Sequence, residues 1–597
     1  MLDEMAIKKH FEWNGKEFKG FVDIGTGVKD DSLPAASNAL VFMAVAVNSN
    51  WKVPCGYFFI DGMTGKEKAS LVTTCLEKLH DAGVEVISLT CDGPSAHYAM
   101  LKELGANLSL EKLNPCFQHP SDPSKHIYVF LDICHMLKLV RNNWAKLGVI
   151  YDGDGEKIKW EYLVNLHELQ ESEGVHMANK LRSAHINWHQ QKMKVNLAAQ
   201  SLSSSVADAI DYCSNHLRMD AFSQCHATTK FIRTFDHLFD VLNSRNPLSK
   251  NFKAPLRPSN YSYIEKFLDE AYNYISKLRN GEGNLITESG KKTGFLGFLI
   301  AIKSIKALYR KLVDSPTPLL KYILTYKFSQ DHLELFFAAV RSAGGWNNNP
   351  TTSQFTSTYK KLLMRHMIEG GDGNCTAQDK TKILDNIEDQ CTFNSVQTSL
   401  IDMQNIRRYD LEPREVPQQT DHDYCDIPNI NMVSEYKEAV ISYIAGFVPK
   451  KAVNKIGCPS CVAALKNNHL TGFVAWKSNG GLTIPSESLI RVCTETEKCI
   501  MRIINATGGS LPNCSNIHGA VGTVVLAQCI GSDVFKSLES HMYDTTATNN
   551  HIARTIKTCA QIYTNIRMKH QGKRHTDTIT GKKVRKQLSK LILFKNQ

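Results

Sequence analysis

The pattern of apolar and polar residues predicts that the first part of the chain mixes strands and helices. Alternation and β-branched or aromatic residues indicate three extended segments over residues 11–60, namely KEFKGFVDIG, ALVFMAVAVN and KVPCGYFFIDG. The helix KEKASLVTTCLEKLHDAG follows and ends at Gly83, which suits a left-handed cap. Next come the strand VEVISLTCDG, the helix SAHYAMLKELG, the strand HIYVFLDICH and the helix MLKLVRNNWAKLG. We predict a mixed α/β sheet domain over residues 1–148.

Residues 149–325 are predicted to be all helical. Apolar residues recur at helical spacing in WEYLVNLHELQ, VHMANKLRSAH, MKVNLAAQSLSSSVADAIDYCSNHL, ATTKFIRTFDHLFDVLNSR, YSYIEKFLDEAYNYISKL and FLGFLIAIKSIKALYRKLV. The stretch RNGEGNLITESGKKTG is rich in Gly and charge and is predicted to be a loop. We expect these helices to interrupt the sheet domain, which resumes over residues 326–367 with the helix HLELFFAAVRSAGG.

The remainder of the chain is predicted to form a linker, a helical domain and a basic tail. Residues 368–435 are polar and indicate a linker without fixed structure. Helical spacing returns over residues 436–570 in SEYKEAVISYIAGFV, ESLIRVCTETEKCIMRII and NNHIARTIKTCAQIYTNIRMKH. Residues 571–597 form the tail.

Composition and charge narrow the class of protein. A chain of 597 residues with 42% hydrophobic content suggests about three to four domains. Its formal net charge of +11 is concentrated between Arg567 and Lys595, where ten Lys or Arg stand against one acid, Asp577. Such a run fits contact with a phosphate backbone or nuclear import, and a solvated, disordered end is the alternative.

Cysteine content and hydropathy indicate the compartment. The 17 cysteines are an odd number spread over the whole length, there is no cleavable apolar leader, and no apolar run is long enough to span a bilayer. We therefore expect reduced thiols, no membrane contact, and a location in the cytoplasm or nucleus.

Three acidic residues stand where metal-dependent phosphodiester chemistry would need them. Asp3 is in LDEM, Asp92 ends the strand VEVISLTCDG, and Glu334 lies on the helix HLELFF. Phosphodiester hydrolysis or transfer uses two divalent cations about 4 Å apart. Carboxylates that converge from separate elements on the end of a sheet provide hard oxygen ligands for Mg²⁺. Because acids are common, spacing alone leaves open that these three are unrelated.

The order of elements and the acid positions resemble a ribonuclease H-like fold. The motifs LDEM, SLTCDG, LDICHMLKLVRNNW, SQDHLELFF and NNNPTTSQF, in this order, resemble the P-element transposase family, including its THAP-domain-bearing animal relatives. The match runs from Met1 to about residue 365. This resemblance implies a DDE site that cuts and joins DNA, with Asp3, Asp92 and Glu334 as catalytic residues and ligands of two Mg²⁺ ions.

The resemblance also sets expectations for the start of the chain. Only Met1 and Leu2 precede Asp3, so we expect the first strand of the sheet to be truncated. We also expect the family's N-terminal zinc-coordinating DNA-binding module, and the coiled coil behind it, to be missing. Because the strand that carries Asp3 is expected to be truncated, the enzymatic activity is in question.

A GTP-binding domain in the helical region is a further implication of the resemblance. The stretch SGKKT at Ser289–Thr293 lacks the spacing of a phosphate-binding loop and follows no strand. A carboxylate can instead accept hydrogen bonds from guanine N1 and N2. The positions that match the family's base-recognition segment and a neighbouring contact segment, with one phosphate candidate, are Phe239, Asp240 and Asn243; Lys194, Val195 and Ser203; and Lys180. An ordinary amphipathic helix is the alternative for each.

Two smaller groups of residues complete the candidate chemistry. His135, Lys138 and Arg141 form either a basic face toward DNA or the metal site, or a capped and solvated helix, and Asp331 could be an alternative or supporting metal ligand. Cys458 and Cys461 form a CxxC pair that could bind Zn²⁺, with buried reduced thiols as the alternative. The candidate zinc partners are Cys493 with Cys499 or His518.

These observations lead to three hypotheses. The first is a P-element-like DNA transposase in the nucleus that uses Mg²⁺ and GTP and acts on DNA as a homo-oligomer. The second is a catalytically inactive, domesticated derivative that serves as a scaffold binding nucleic acid or GTP. The third is a nuclease of the same fold that acts on RNA–DNA hybrids.

Overall fold

A computed structural model describes residues 1–13, 15, 17–26, 33–47, 49–343, 347–364, 433–467, 472–478, 480–506, 516–541 and 550–579. Most of the predicted linker (368–435) and basic tail (571–597) therefore lie outside the described residues. Among the described residues, no helix combines the length and the apolar character needed to cross a bilayer.

Strands and helices alternate in the N-terminal part of the chain. The elements, in chain order, are β1 (Leu2–Ala6), β2 (Glu12–Trp13), β3 (Phe18–Lys19), β4 (Asn38–Val45), β5 (Lys52–Ile60), α1 (Gly65–Asp81), β6 (Ser88–Cys91), α2 (Ser95–Glu103), β7 (Cys116–His119), β8 (Asp122–Leu131) and α3 (Ile133–Leu147). β1, β4 and β5 form an antiparallel sheet in the order β1-β4-β5. β6 runs parallel to β8 in a second sheet, β6-β8-β7.

The β1-β4-β5 sheet is covered on both faces. Along β4, Leu40 belongs to a large core shared with α1, whereas its neighbour Val41 belongs to a second core shared with Phe336 and Phe355. Because successive strand residues point to opposite faces, a strand buried on both faces needs apolar residues at consecutive positions. This explains the unbroken apolar run ALVFMAVAV.

The first predicted extended segment, KEFKGFVDIG, is wrong as a continuous strand. β3 covers only Phe18–Lys19, and the chain then passes through Gly20 with φ +121. A Cβ at Gly20 would lie 2.1 Å from the His10 carbonyl oxygen, so the strand breaks at a position that only glycine can occupy. β1 takes the place of this segment beside β4.

Helices dominate the middle of the chain. The elements are β9 (Val149–Tyr151), β10 (Lys157–Lys159), α4 (Glu161–Glu173), α5 (Ser183–Ile186), α6 (Val195–Ser201), α7 (Ser204–Asn215), α8 (His226–Leu242), α9 (Pro258–Ser276) and α10 (Lys292–Leu312). The predicted loop before α10 is confirmed, and the SGKKT stretch follows a 3₁₀ turn rather than a strand. The short β9-β10 hairpin was not predicted.

The predicted helix VHMANKLRSAH is wrong, apart from α5. The backbone N–H of Ala178 donates to Gln170 Oε1 (2.8 Å), and that of Met177 donates to the Tyr436 hydroxyl (3.1 Å). Side chains therefore satisfy donors that a helix would have paired internally. The Tyr436 partner is 259 residues distant in sequence, which local spacing does not reveal.

α10 packs the helical region onto the second sheet. Ser304 Oγ donates to the Val129 carbonyl of β8 (2.6 Å), and a Cβ at Gly297 would lie 2.3 Å from the Met136 sulfur of α3. The helix is buried along nearly its whole length. The helical region and the β6-β8-β7 sheet therefore share one core.

The last described elements are helical. They are α11 (Asp331–Ala343), α12 (Thr352–Met364), α13 (Glu435–Ala445), α14 (Val448–Ala452), α15 (Pro459–Ala463), α16 (Gly472–Lys477), α17 (Glu487–Ala506), α18 (Ile517–Cys529) and α19 (His551–Ile579). Most of the helices from α13 onward enclose a second core, so the predicted C-terminal helices are confirmed, while Tyr436 of α13 and Phe473 of α16 belong to the first core.

A buried ion pair joins α17 to α19. Arg567 places Nε and Nη2 each 2.7 Å from the Glu497 carboxylate, Tyr563 donates to the same carboxylate (3.0 Å), and Nη2 also donates to the Gly174 carbonyl (3.1 Å). Both charged side chains are at most 3% exposed. Arg567, counted above with the basic run, is thus a core residue that also ties α19 to the end of α4.

We expect Glu497→Gln to destabilise the C-terminal helices strongly. The change leaves the Arg567 guanidinium buried without its counter-charge, which typically costs about 3–5 kcal/mol. The measurement is the shift of the urea unfolding midpoint. Lys498→Gln on the same helix is the matched control, because its pair with Glu495 is partly exposed and such pairs contribute less than about 1 kcal/mol. Equal shifts for the two variants would contradict the assignment.

Candidate functional site

The three acids predicted from the sequence lie on three separate elements. Asp3 is in β1 on the same face as Met5, and Met5 packs against Leu333 and Phe336 of α11. Asp92 follows the last residue of β6, and Glu334 lies in the first turns of α11. The face of β1 that carries Asp3 is therefore the face that α11 covers.

A buried hydrogen-bond network fixes the start of α11. Asp132 ends β8 and caps α3, accepting a hydrogen bond from the His135 backbone N–H (2.8 Å). Its other carboxylate oxygen accepts from the Gln330 backbone N–H (3.0 Å). The Gln330 side chain donates to the Leu2 carbonyl of β1 (2.6 Å). Asp132 and Gln330 thus hold α11 against both sheets.

Asp132 was not singled out from the sequence. An acid directly before a helix is a standard N-cap pattern and would have identified its contact with α3. The contact with Gln330 spans 198 positions and leaves no local pattern. Burial, followed by the charge of Asp331, raises the pKa of Asp132 to about 6, against the two backbone hydrogen bonds that lower it.

Two of the acids have raised pKa values, and neighbouring carboxylates contribute to both shifts. Burial raises the pKa of Asp3 well above its ordinary value, and the carboxylates of Asp92 and Glu334 raise it further. Burial also raises the pKa of Glu334, against the opposing charges of Lys138 and Arg341. These acids therefore form a cluster in which negative charge is only partly compensated by protein groups. A bound cation would supply the missing charge, so the oxygen donors fit a divalent metal.

The pKa of Asp92 is shifted in the opposite direction, below its ordinary value. Burial alone would raise its pKa, but the His97 imidazole, and then His135 and Lys68, bring the pKa below its ordinary value. Nδ1 of His97 lies 2.6 Å from Asp92 Oδ1 and 3.2 Å from the Asp92 carbonyl oxygen. His97 is buried on α2 and holds the Asp92 carboxylate in one orientation. The sequence analysis did not single out His97.

The basic residues of α3 do not form one face toward solvent. Arg141 is fully buried, and its Nη2 donates to the Gln191 carbonyl (3.0 Å) in the helical region, so the predicted basic face is wrong at this position. Lys138 is also buried and its charge acts on Glu334 and Asp132. Burial and then the charge of Lys138 lower the pKa of His135, and the Asp92 carboxylate opposes this shift.

Asp331 connects the acid site with the end of α8. Its carboxylate forms an ion pair with Arg245, whose Nη2 also donates to the Asn243 side-chain oxygen (3.3 Å). Asp331 therefore already has a cationic partner in Arg245, and its role as an alternative or supporting metal ligand stays a prediction. The pair links α11 to the segment predicted to recognise guanine.

The predicted nucleotide residues fall into two groups. Phe239 and Asp240 are partly buried near the end of α8, and Asn243 is its C-cap rather than part of the helix. Burial raises the pKa of Asp240 to about 6, opposed by Lys253, whose Nζ lies 3.7 Å from Oδ1. A partly buried carboxylate of this kind can accept hydrogen bonds from a planar base.

The second group lies at the starts of α6 and α7. Lys194 is the exposed residue before α6, and Val195 packs its side chain in the core, which leaves only its backbone for ligand contact. Ser203 precedes α7 beside Ser204, whose N–H donates to Asp236 of α8 (2.8 Å). Asp236 lies one turn before Asp240. The remaining candidate, Lys180, is exposed in the segment between α4 and α5.

A compact Cys/His cluster lies in the C-terminal helices. Cys458 and Cys461 sit at the start of α15, and the possible ligand atoms of these two residues, His541 and His551 all lie within 4.8 Å of one another. A hydrogen bond from the Cys461 backbone and the neighbouring imidazoles lower the pKa of the Cys458 thiol to about 6. Among the described residues, this is the one group of such ligand atoms gathered so closely.

The predicted partners of the CxxC pair are wrong. Cys493 and Cys499 lie on α17 and His518 lies on α18, outside this cluster. His541 and His551 are separated by nine residues, whereas zinc motifs usually space two histidines by three to five. The sequence therefore carries no recognisable second half of the motif.

A groove of about 800 Å³ lies between the β2-β3 hairpin and α12, apart from the three acids. Trp13 and Phe18 line it and are about 60% exposed, with ring centroids 5.0 Å apart. Lys19 and Lys360 are also on its walls. The acids Glu17, which pairs with Lys19, and Asp23 line the groove too, so its walls carry no net basic charge.

Four protein-family models match the chain. Their descriptions are TNP-like, RNase H N-terminal domain (residues 1–105); TNP-like, GTP-binding insertion domain (134–255); TNP-like, RNase H C-terminal domain (326–360); and DNA transposase THAP9, C-terminal domain (432–573). The fold is accordingly mixed α/β with a ribonuclease H-like part.

Two characterised proteins and one solved structure are similar to the chain. DNA transposase THAP9 of Homo sapiens is 30% identical over 96% of this chain and 63% of its own length. Transposable element P transposase of Drosophila melanogaster is 27% identical over 78% and 57%, so the chain spans less than two thirds of either relative. The Drosophila P element transposase strand transfer complex shares the fold, with a TM-score of 0.52 and 24% identity over 61% of this chain and 75% of that one.

We expect Asp3→Asn to raise the melting temperature in the absence of divalent cations at about pH 7. The raised pKa of Asp3 means that its ionisation costs stability once the pH exceeds the ordinary carboxyl pKa, so the gain should vanish as the pH falls toward about 4. Asn can keep the acceptor for the Glu4 N–H (2.8 Å). The measurement is thermal unfolding in chelator across this pH range.

Asp61→Asn is the matched control for Asp3→Asn. Asp61 is only partly exposed, but hydrogen bonds from Ser37 and Lys9 lower its pKa, so neutralising it should not raise the melting temperature. A lower melting temperature for Asp3→Asn than for the unmodified chain at neutral pH would contradict the charge argument.

Proposed function

Since the chain belongs to the family of P-element-like, THAP-type DNA transposases, we propose that it cleaves DNA and joins the resulting 3′ end to a target. Asp3, Asp92 and Glu334 are the proposed catalytic acids, with two Mg²⁺ ions as cofactors. DNA ends and target DNA are the proposed substrates, a homo-oligomer the proposed working form, and the nucleus the proposed location.

The observation that best supports this proposal is the effect of two of the acids on the pKa of the third. Asp3 and Glu334 are 331 positions apart in sequence, yet Glu334 and Asp92 both raise the pKa of Asp3. Folding has brought together charges that repel one another. Such an arrangement is costly without a cation and is typical of metal-dependent active sites.

The protein groups around the acids have separate roles in the proposal. Asp92, with its lowered pKa, stays ionised and is oriented by His97, so it offers a fixed oxygen donor. Asp3 and Glu334 are the donors whose ionisation a metal would favour. Divalent cations bound there would activate the attacking oxygen and stabilise the leaving oxygen.

The carboxylate oxygens of the three acids do not all lie as close together as the ligand atoms of a single ion would. Their oxygens do not form a group within 4.8 Å, unlike the Cys/His cluster. Two ions about 4 Å apart need a broader ring of ligands than one ion does. We therefore propose a pair of cations rather than a single ion.

GTP is the second proposed cofactor. The matched insertion-domain model and the partly buried Asp240 at the end of α8 support this part of the proposal. Asp240 would accept from guanine N1 and N2, Phe239 would stack on the base, and the exposed Lys194 and Lys180 would approach the phosphates. The link from Asn243 through Arg245 to Asp331 would connect bound nucleotide with α11.

We expect Asp92→Asn to abolish Mg²⁺-dependent nicking of DNA that carries the element's ends. Metal ions supply several kcal/mol of charge stabilisation and each 1.4 kcal/mol is a tenfold rate change, so the loss should be at least about 100-fold. Strand nicking is followed on denaturing gels. The variant Asp61→Asn, which changes an acid outside the proposed site, should cleave at the unmodified rate.

Two results would count against this activity. Nicking by Asp92→Asn at the unmodified rate would overturn the assignment of the acids. A folded, GTP-binding chain that nicks no DNA end would instead select the catalytically inactive scaffold.

We expect Asp240→Asn to exchange guanine specificity for xanthine specificity. The Asn amide can donate to the xanthine 2-oxo group, whereas the Asp carboxylate accepts from the guanine 2-amino group, and a mismatched buried polar group typically costs about 1–3 kcal/mol. Calorimetry should show GTP affinity falling by about tenfold or more and xanthosine triphosphate affinity rising. Asp269→Asn on α9 is the control; unchanged GTP affinity in Asp240→Asn would exclude Asp240 from base recognition.

A further inference from the structure

Four soft metal ligands meet at one point in the C-terminal helices. Cys458 Sγ lies 2.9 Å from His541 Nε2, and Cys461 Sγ lies 3.5 Å from His551 Nδ1. The two imidazole rings are 4.6 Å apart at 82° to one another. Each residue thus directs one potential donor atom to a common centre.

We propose that Cys458, Cys461, His541 and His551 bind one Zn²⁺ ion as a closed, structural site. Two thiolates and two imidazoles are a standard donor set for tetrahedral zinc, with Zn–S near 2.3 Å and Zn–N near 2.0–2.1 Å. Tetrahedral geometry with these bond lengths places ligand atoms about 3.3–3.8 Å apart. All four atoms already lie within 4.8 Å, so the side chains need only small movements.

The surroundings suit a metal better than a disulfide. The cysteines that the structure describes are all present as free thiols, including this pair. A small cavity of about 150 Å³ opens beside the two sulfurs, lined also by Gly457, Arg554 and Thr555, and gives an ion access from solvent. Four protein ligands leave no open position for a substrate or a reactive water, which makes the site structural.

The ion would join three parts of the chain that are far apart in sequence. Cys458 and Cys461 begin α15, His541 ends the 3₁₀ turn Lys536–His541, and His551 begins α19. α19 continues to Arg567, which pairs with Glu497 and reaches the Gly174 carbonyl of the helical region. The zinc ion would thus fix the start of the helix that ties the C-terminal helices to the rest of the molecule.

The first test is metal content of the full chain, purified without added metal and measured by mass spectrometry. We expect one zinc per chain, and close to none in Cys458→Ser and His551→Gln. Cys499→Ser on α17 and His518→Gln on α18 are the matched controls, because they change the same residue types in neighbouring helices outside the cluster, and they should retain one zinc. Zinc retained by Cys458→Ser and His551→Gln, or absent from the unmodified chain, would overturn the proposal.

The second test relies chiefly on the unmodified chain, so it still decides if the ligand variants of the first test do not fold. Cobalt added to the chelator-treated, unmodified chain should produce the absorption of a tetrahedral ion with sulfur ligands, and Cys458→His, which keeps a ligand, should still bind zinc. Chelation should lower the melting temperature, and Zn²⁺ but not Mg²⁺ should restore it. Restoration by Mg²⁺, or a melting temperature indifferent to both, would contradict a zinc site. DNA nicking and GTP binding are not measured, so the outcome is independent of the proposed activity.

Discussion

The two hydrogen bonds that Asp132 accepts are the constraint on which the rest of the structure depends. One caps α3 and the other holds Gln330, whose side chain reaches the backbone of β1. The β1-β4-β5 sheet, the β6-β8-β7 sheet and α11 come from distant parts of the chain, and this buried carboxylate is where they meet. Since unpaired buried carboxylates are expensive, any shift of α11 would leave Asp132 unsatisfied, and the position of Glu334 is fixed as a result.

The molecule contains two contrasting arrangements of buried charge. In the C-terminal helices, Arg567 and Glu497 neutralise one another in the core, and further hydrogen bonds from Tyr563 and to Gly174 satisfy the remaining groups. Around Asp3 the protein gathers acids and compensates them only in part. The first arrangement stabilises one packing of the helices, whereas the second keeps a local cost that a ligand can relieve.

The long amphipathic helices could be predicted from the sequence, and two of the three acids stand in recognisable motifs. The predictions that are wrong share a physical cause. α8, α9 and α10 follow directly from apolar spacing, and Asp92 and Glu334 stand in recognisable motifs. Gly20 broke a predicted strand through a backbone conformation, and Tyr436 supplied a partner that replaced a predicted helix near Met177. Asp132, His541 and His551 act through contacts that span tens to hundreds of positions. Local patterns describe local hydrogen bonding, and these contacts are not local.

The placement of Glu334 on α11 has a consequence for the newly made chain. Asp3 and Asp92 leave the ribosome before Glu334, which follows Asp92 by 242 positions, and this separation corresponds to roughly 10–50 s of synthesis at about 5–20 residues per second. During that delay the intervening helices must emerge and pack, since α11 docks only where β1, β8 and the returning chain already meet. The acid cluster is therefore completed late, and an unfinished chain carries only two of its three members.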